Sequence, residues 1–164
     1  MLTLKQILRA SHVRRWNIVA TSRDQSVAEH SFNVCMIARA LCKRLNMDDD
    51  KIIKAALEHD LDEVVFGDIP SPMKAKLMKD GIDVNKYVGN EMRELDMLQQ
   101  KVLKTADLLD AYLFLKDHGV GSHATDVVNE VYNRLWDHTE SCFDGSTIER
   151  DVKTFIKEVI RERI

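Results

Sequence analysis

Two histidines and three carboxylates stand out for the chemistry they could share: His30, the adjacent pair His59-Asp60, Glu63 just beyond it, and Asp107. Each falls on the apolar side of its segment. A carboxylate buried there without a partner costs several kcal/mol. A divalent cation would remove that cost. Two neutral imidazoles and two carboxylates balance a +2 charge and leave positions open for water and substrate. Singly, each residue has an ordinary explanation: a core histidine, a boundary glutamate, an aspartate paired to a lysine. Together, in the order His, His-Asp, Asp, they point to a metal site formed by His30, His59, Asp60 and Asp107.

Helices must position these groups. Only 2 prolines and 6 glycines occur, and apolar residues recur at helical spacing with no sustained strand-like alternation. A short helix is expected over residues 3–10, followed by an irregular basic stretch, His12 to Asp24. Ser26 and Glu29 read as a capping box. It opens a helix to about Leu45 with His30, Val34, Ile37, Leu41 and Leu45 inward. Asn46-Met47-Asp48 breaks it. Asp48 or Asp49 caps the next helix, to about Val65, with Lys51, Lys54, Glu58 and Asp62 wet and His59, Asp60 and Glu63 opposite. Pro72 suits the first position of a short helix to about Lys79. Gly81-Ile82-Asp83 is a second break, and Met92, Leu95, Gln99, Val102, Ala106, Leu109 and Leu113 mark a long helix to about Asp117. Two more helices follow, over about 123–140 and 147–162, the second opened by a Ser146/Glu149 capping box.

The 164 residues fit a single domain, 1–164, which at that length can bury about 70% of its unfolded surface. A net charge of −3 argues against gripping a nucleic-acid polymer, though not against a local basic pocket. The 3 cysteines form no CxxC pair, and Cys35 and Cys42 read as core packing. No run approaches the roughly 20 apolar residues of a membrane span, and no apolar leader is evident. A cytoplasmic, all-α protein is expected.

The pattern resembles the HD-domain superfamily, whose signature is a His, an adjacent His-Asp and a distant Asp. Arg15-Trp16, Val27-Ala28-Glu29-His30-Ser31, His59-Asp60-Leu61-Asp62-Glu63, Gly67-Asp68-Ile69-Pro70-Ser71-Pro72 and Lys104-Thr105-Ala106-Asp107 look like its deoxyribonucleoside 5′-monophosphatase branch. Compact phage dATP triphosphohydrolases share these motifs. The resemblance implies a helical bundle of about six to seven helices. It also implies a metal-activated water attacking the 5′-phosphate end of a deoxynucleotide, releasing orthophosphate or tripolyphosphate, in the cytoplasm of a bacterium or of a phage host. No histidine lies between His59 and Asp107, where some HD proteins carry the extra ligands of a two-metal site, so one metal is expected. The donor set suits Mn, Fe, Co, Ni or Zn better than Mg.

Glu63, beside the ligands, is placed to orient the water or take its proton. Asp68 is implied as a second acid/base group or a contact to the sugar 3′-hydroxyl. Arg15 can grip a phosphate through its fork of donors. Lys74 adds positive charge near a short helix start, and Trp16 can stack on a base or close the pocket. Arg14, Arg23 and His12 are candidates for a cationic lip, and His118, His123 and His138 are expected at the surface. A homo-oligomer, dimeric or larger, follows from the resemblance. The alternative is a non-catalytic HD-fold module that binds a nucleotide and signals to a partner.

Overall fold

The computed structural model describes residues 2–82, 94–145 and 147–162. Helices α1 (Leu4–Ile7), α2 (Val27–Arg44), α3 (Asp50–Glu58), α4 (Glu63–Phe66), α5 (Ser71–Lys79), α6 (Met97–His118), α7 (Gly121–Phe143) and α8 (Thr147–Glu162) follow in order, with a 3₁₀ turn over Leu8–Ser11. Strand pairing among the described residues is limited to two isolated bridges, Arg14 with Ser26 and Thr21 with Gly119. The architecture is all-α, and no described helix is long and apolar enough to cross a membrane.

α6 is the central element. It packs against α2 on one side and α7 on the other, and α2 also packs on α3. Every residue from Leu108 to Leu115 is buried. The core is completed by Val34 and Leu41 from α2, Ile52 from α3, Leu135 from α7 and Ile156 from α8, all fully buried. Cys35 and Cys42 lie in this core as expected, and burial pushes the Cys42 thiol up to about 11.

α2 begins where expected. The Ser26 hydroxyl accepts the Glu29 backbone N–H at 3.1 Å. The Glu29 carboxylate, however, takes both guanidinium nitrogens of Arg23, at 2.7 and 3.0 Å, in place of a reciprocal cap. Asn46, at φ 54°, ends the helix in the left-handed conformation that asparagine tolerates.

The next helix differs from expectation. α3 stops at Glu58, and His59 is its C-cap residue, so His59 and Asp60 lie in a tight turn outside the helix proper. The His59 ring Nδ1 donates to the Ala56 carbonyl at 2.8 Å, satisfying a helix-end acceptor. Leu61 N–H then reaches Glu58 O at 3.1 Å and Glu63 N–H reaches Asp60 O at 3.1 Å. Asp49 makes no side-chain cap, whereas Asp48 Oδ1 accepts the Asp50 N–H at 3.2 Å. Asp62, expected at the wet face, is buried, because the turn swings it inward.

Further along, Pro72 occupies the second position of α5, after Ser71. α6 starts only at Met97, because Asp96 and Gln99 form a reciprocal capping box. Leu95 is buried just before it, and Met92 and Asp83 lie outside the described residues. Ser146 also lies outside them, and Glu149 Oε2 accepts the Gly145 N–H at 2.7 Å.

Candidate active site

Side chains from α2, the 59–62 turn and α6 meet at one point. His30 is fully buried, and its Nε2 lies 3.3 Å from His59 Nε2, 3.6 Å from Asp60 Oδ2 and 3.3 Å from Asp107 Oδ1. His59 Nε2 is 3.4 Å from Asp60 Oδ2. Donor atoms of His30, His59 and Asp60 all fall within 4.8 Å of one another. Asp107 is the outer member. It meets His30, but its other oxygen is drawn to Lys104 Nζ at 2.6 Å.

The far nitrogens of both rings face acceptors. His30 Nδ1 lies 2.6 Å from Asp110 Oδ2, and His59 Nδ1 faces the Ala56 carbonyl. With each Nδ1 donating, two Nε2 lone pairs confront each other at 3.3 Å among carboxylate oxygens. A divalent cation between them would relieve that crowding of acceptors. Two donors held about 2.0–2.1 Å from a tetrahedral ion stand roughly 3.3–3.4 Å apart, so the residues present fit a divalent metal.

The electrostatics agree. Burial pushes Asp60 up, but His59, Arg15 and His30 together hold it at about 2. Asp107 is likewise well below the usual carboxylate range, with Lys104 and His30 outweighing burial. For His30, burial and Arg15 pull down, but Asp107 and Asp110 prevail and raise it. Both carboxylates therefore remain ionised.

Beside this cluster lies a cavity of about 490 Å³, lined by Arg15, Trp16, Asp60, Glu63, Asp68, Lys74 and Asp107 among others. Arg15 Nη1 donates to Asp60 Oδ2 at 2.8 Å, and its Nε is buried without a partner. Glu63 is fully buried; Oε1 takes Lys74 Nζ at 2.6 Å, and Oε2 has no partner. Burial and Asp60 push the Glu63 carboxyl up to about 8 against the pull of Lys74. Asp68 reaches the same cavity from the turn before α5, where its carbonyl accepts the Asn17 side-chain N–H at 3.2 Å. Trp16 stands at φ 66°, a position few bulky residues adopt, with its ring parallel to Phe114 at 6.3 Å.

The nine residues named from the sequence for metal, catalytic and substrate roles are thus brought to one place. The expected cationic lip is not where it was placed. Arg14 pairs with Asp24, Arg23 with Glu29, and neither they nor His12 line the cavity. Lys104, His123 and Arg134 line it instead. His118 and His138 are half-buried rather than superficial: Arg23 Nε donates to His118 Nε2 at 3.0 Å, and His138 Nε2 faces the Lys101 carbonyl at 3.1 Å. Sequence reasoning missed Asp110 and Gln25, which sit behind His30. Asp110 had one available signal: it is the lone charge in the buried run 108–115 of α6.

The family profile of 5′-deoxynucleotidase YfbR-like proteins matches residues 3–82. The dATP triphosphohydrolase of Cyanophage S-2L is 34% identical over 142 residues, covering 79% of this chain and 81% of the relative. The chain belongs to the YfbR-like HD phosphohydrolases. The solved structure of the Cyanophage S-2L HD phosphohydrolase, bound to dA and one catalytic Zn²⁺ ion, superposes on this HD phosphohydrolase with a TM-score of 0.88 at 27% identity. The match covers 99% of this chain and 98% of that one. The 5′-deoxynucleotidase YfbR of Photorhabdus temperata is 29% identical over 107 residues, 62% of this HD phosphohydrolase and 49% of the relative.

Proposed function

We propose that this HD phosphohydrolase hydrolyses the 5′-phosphate end of deoxynucleotides, with one divalent metal held by His30, His59, Asp60 and Asp107. The observation that carries this is the pair of Nε2 atoms 3.3 Å apart among ionised carboxylates, opening onto a cavity with an unpartnered glutamate oxygen and an unpartnered arginine Nε. When bound, the ion supplies Lewis acidity that makes water nucleophilic near neutral pH and offsets phosphate charge. Two imidazoles and two carboxylates favour Mn, Fe, Co, Ni or Zn over Mg.

The chain's own groups do the rest. Glu63 Oε2 orients the attacking water and takes its proton, and Lys74 fixes the carboxyl through Oε1. Arg15 holds a phosphate oxygen through its free donor while keeping Asp60 ionised. Asp68 protonates the leaving oxygen or binds the sugar hydroxyl. Trp16 walls the base site. Arg15→Lys replaces the fork with a point charge and leaves Asp60 worse paired. A hydrogen bond to a charged group contributes about 1.5–3 kcal/mol, so kcat/KM is expected to fall roughly 10–100-fold. Steady-state kinetics check this.

Two features favour a triphosphate over a monophosphate. Arg134 and Lys104, the latter already paired with Asp107, place cationic side chains on the cavity wall, and His123 lines it beside them. Matches to phage dATP triphosphohydrolases also span more of this chain than the match to the Photorhabdus temperata 5′-deoxynucleotidase. The same reading takes residues 1–164 as a single domain acting as a homo-oligomer. Incubation with Mn or Co and a panel of dNMPs and dNTPs tests it through the released product. Tripolyphosphate from a dNTP supports the triphosphatase reading, and orthophosphate from several dNMPs makes the chain a 5′-nucleotidase. No metal-dependent release from any of them would leave the nucleotide-binding module.

A further inference from the structure

Asp110 is the one charged side chain in the buried run Leu108 to Leu115, and it is 2% exposed. A carboxylate there must be fully hydrogen-bonded. Its Oδ2 receives His30 Nδ1 at 2.6 Å and Gln25 Nε2 at 2.9 Å, and its Oδ1 receives Asn33 Nδ2 at 2.9 Å. Gln25 is itself fully buried, and its Oε1 accepts the Trp16 indole N–H at 2.9 Å. Asp110 is not among the residues lining the cavity. It can act on substrate or metal only through the side chains it holds, His30, Gln25 and Asn33.

We propose that Asp110 is a positioning residue that fixes His30 with Nδ1–H inward and its Nε2 lone pair at the metal site, and that Gln25 ties Trp16 to the same carboxylate. The proposal rests on the metal-dependent reading above. A metal-binding histidine is oriented by whatever its second nitrogen donates to, and losing that acceptor typically weakens metal binding 10–100-fold. The donors around Asp110 suit this role. Two neutral amides and one imidazole satisfy the carboxylate, and among the described residues no lysine or arginine is paired with it. Trp16 gains as well: its left-handed backbone is held by the Gln25 bond and by its stack on Phe114.

The test uses the full chain, stripped of metal and retitrated with Zn²⁺ or Co²⁺. Asp110→Asn keeps the volume and removes the charge. Its metal Kd should rise about 10–100-fold with an unchanged helical spectrum. Excess metal should recover part of kcat. A wild-type Kd in folded Asp110→Asn overturns the proposal. Should that variant fail to fold, the long-range ¹H–¹⁵N spectrum of zinc-loaded wild type decides. Protonated Nδ1 and coordinated Nε2 on His30 support the assignment, and coordination through Nδ1 overturns it. Tight metal binding without hydrolysis of any deoxynucleotide would sink the functional reading alone and leave Asp110 to these measurements.

Discussion

Glu63→Gln is expected to lower kcat by roughly 10²–10⁴ while leaving metal affinity nearly unchanged. Glutamine keeps the size of a side chain that is fully buried, and its amide oxygen can still receive Lys74. What it loses is the ability to take a proton at Oε2, the oxygen with no hydrogen-bond partner in the protein. Single-turnover kinetics at saturating metal, beside a calorimetric metal titration, separate the two effects. Unchanged kcat would remove Glu63 from the chemistry.

The same substitution has a second readout in the metal-stripped protein. Burial and Asp60 push Glu63 from an ordinary value near 4.5 up to about 8. A carboxyl raised by folding contributes stability that is complete below the unfolded value and is lost as pH rises through the folded one. The melting temperature of stripped wild type should therefore decline between about pH 5 and pH 8. Glu63→Gln should flatten part of that decline, because an amide does not titrate. Equal slopes for the two proteins would contradict the burial of an ionisable Glu63. A divalent ion beside Asp60 would replace repulsion by attraction and lower the Glu63 value, so metal should flatten the wild-type curve as well.

The other large effect is expected from the ligands. Chelation should abolish hydrolysis, and Mn, Co or Zn should restore it. His59→Ala should lose on the order of 10²-fold or more and recover only at high metal concentration. His59 has two jobs in the structure. Its Nδ1 closes the end of α3 on Ala56, and its Nε2 faces His30. Loss of the ring therefore weakens both the turn and the cage. Metal at about 1,000 times its Kd should stabilise the wild type by roughly 4 kcal/mol, read as a rise in melting temperature that His59→Ala does not show. Full activity after exhaustive chelation would end the metal-dependent reading.

Much of this was legible in the sequence because burial and spacing act locally. His30 sits on the same stripe as Val34 and Leu41, so its inward direction follows from helical period. The adjacent His59-Asp60 and the turn Gly67 to Pro72 pointed to the right cavity. Three features were not legible, for physical reasons. The end of α3 is set by a side-chain bond from His59 to Ala56, which helical periodicity does not encode. Arg23 is a candidate for a cationic lip from its sequence position, but pairing with Glu29 and His118 claims it. Arg134 reaches the cavity only because α7 packs on α6, a contact between segments about 30 residues apart in the chain.

The two sides of the catalytic cavity are built from elements of unequal rigidity. α6, which carries Asp107 and Asp110, buries most of its length, whereas α5, which delivers Lys74, contributes no buried residue. Opening free energies within a protein follow such differences, from near zero at lightly packed segments up to the global value in the core. Asp107 on α6 is therefore expected in the last part of the molecule to exchange its amides, and Lys74, which pairs with Glu63, in an early one. On the proposed function, substrate exchange is expected to draw on fluctuations of α5 rather than of α6. Lys74 would then release and re-engage Glu63 while Asp107 and Asp110 keep their places on α6.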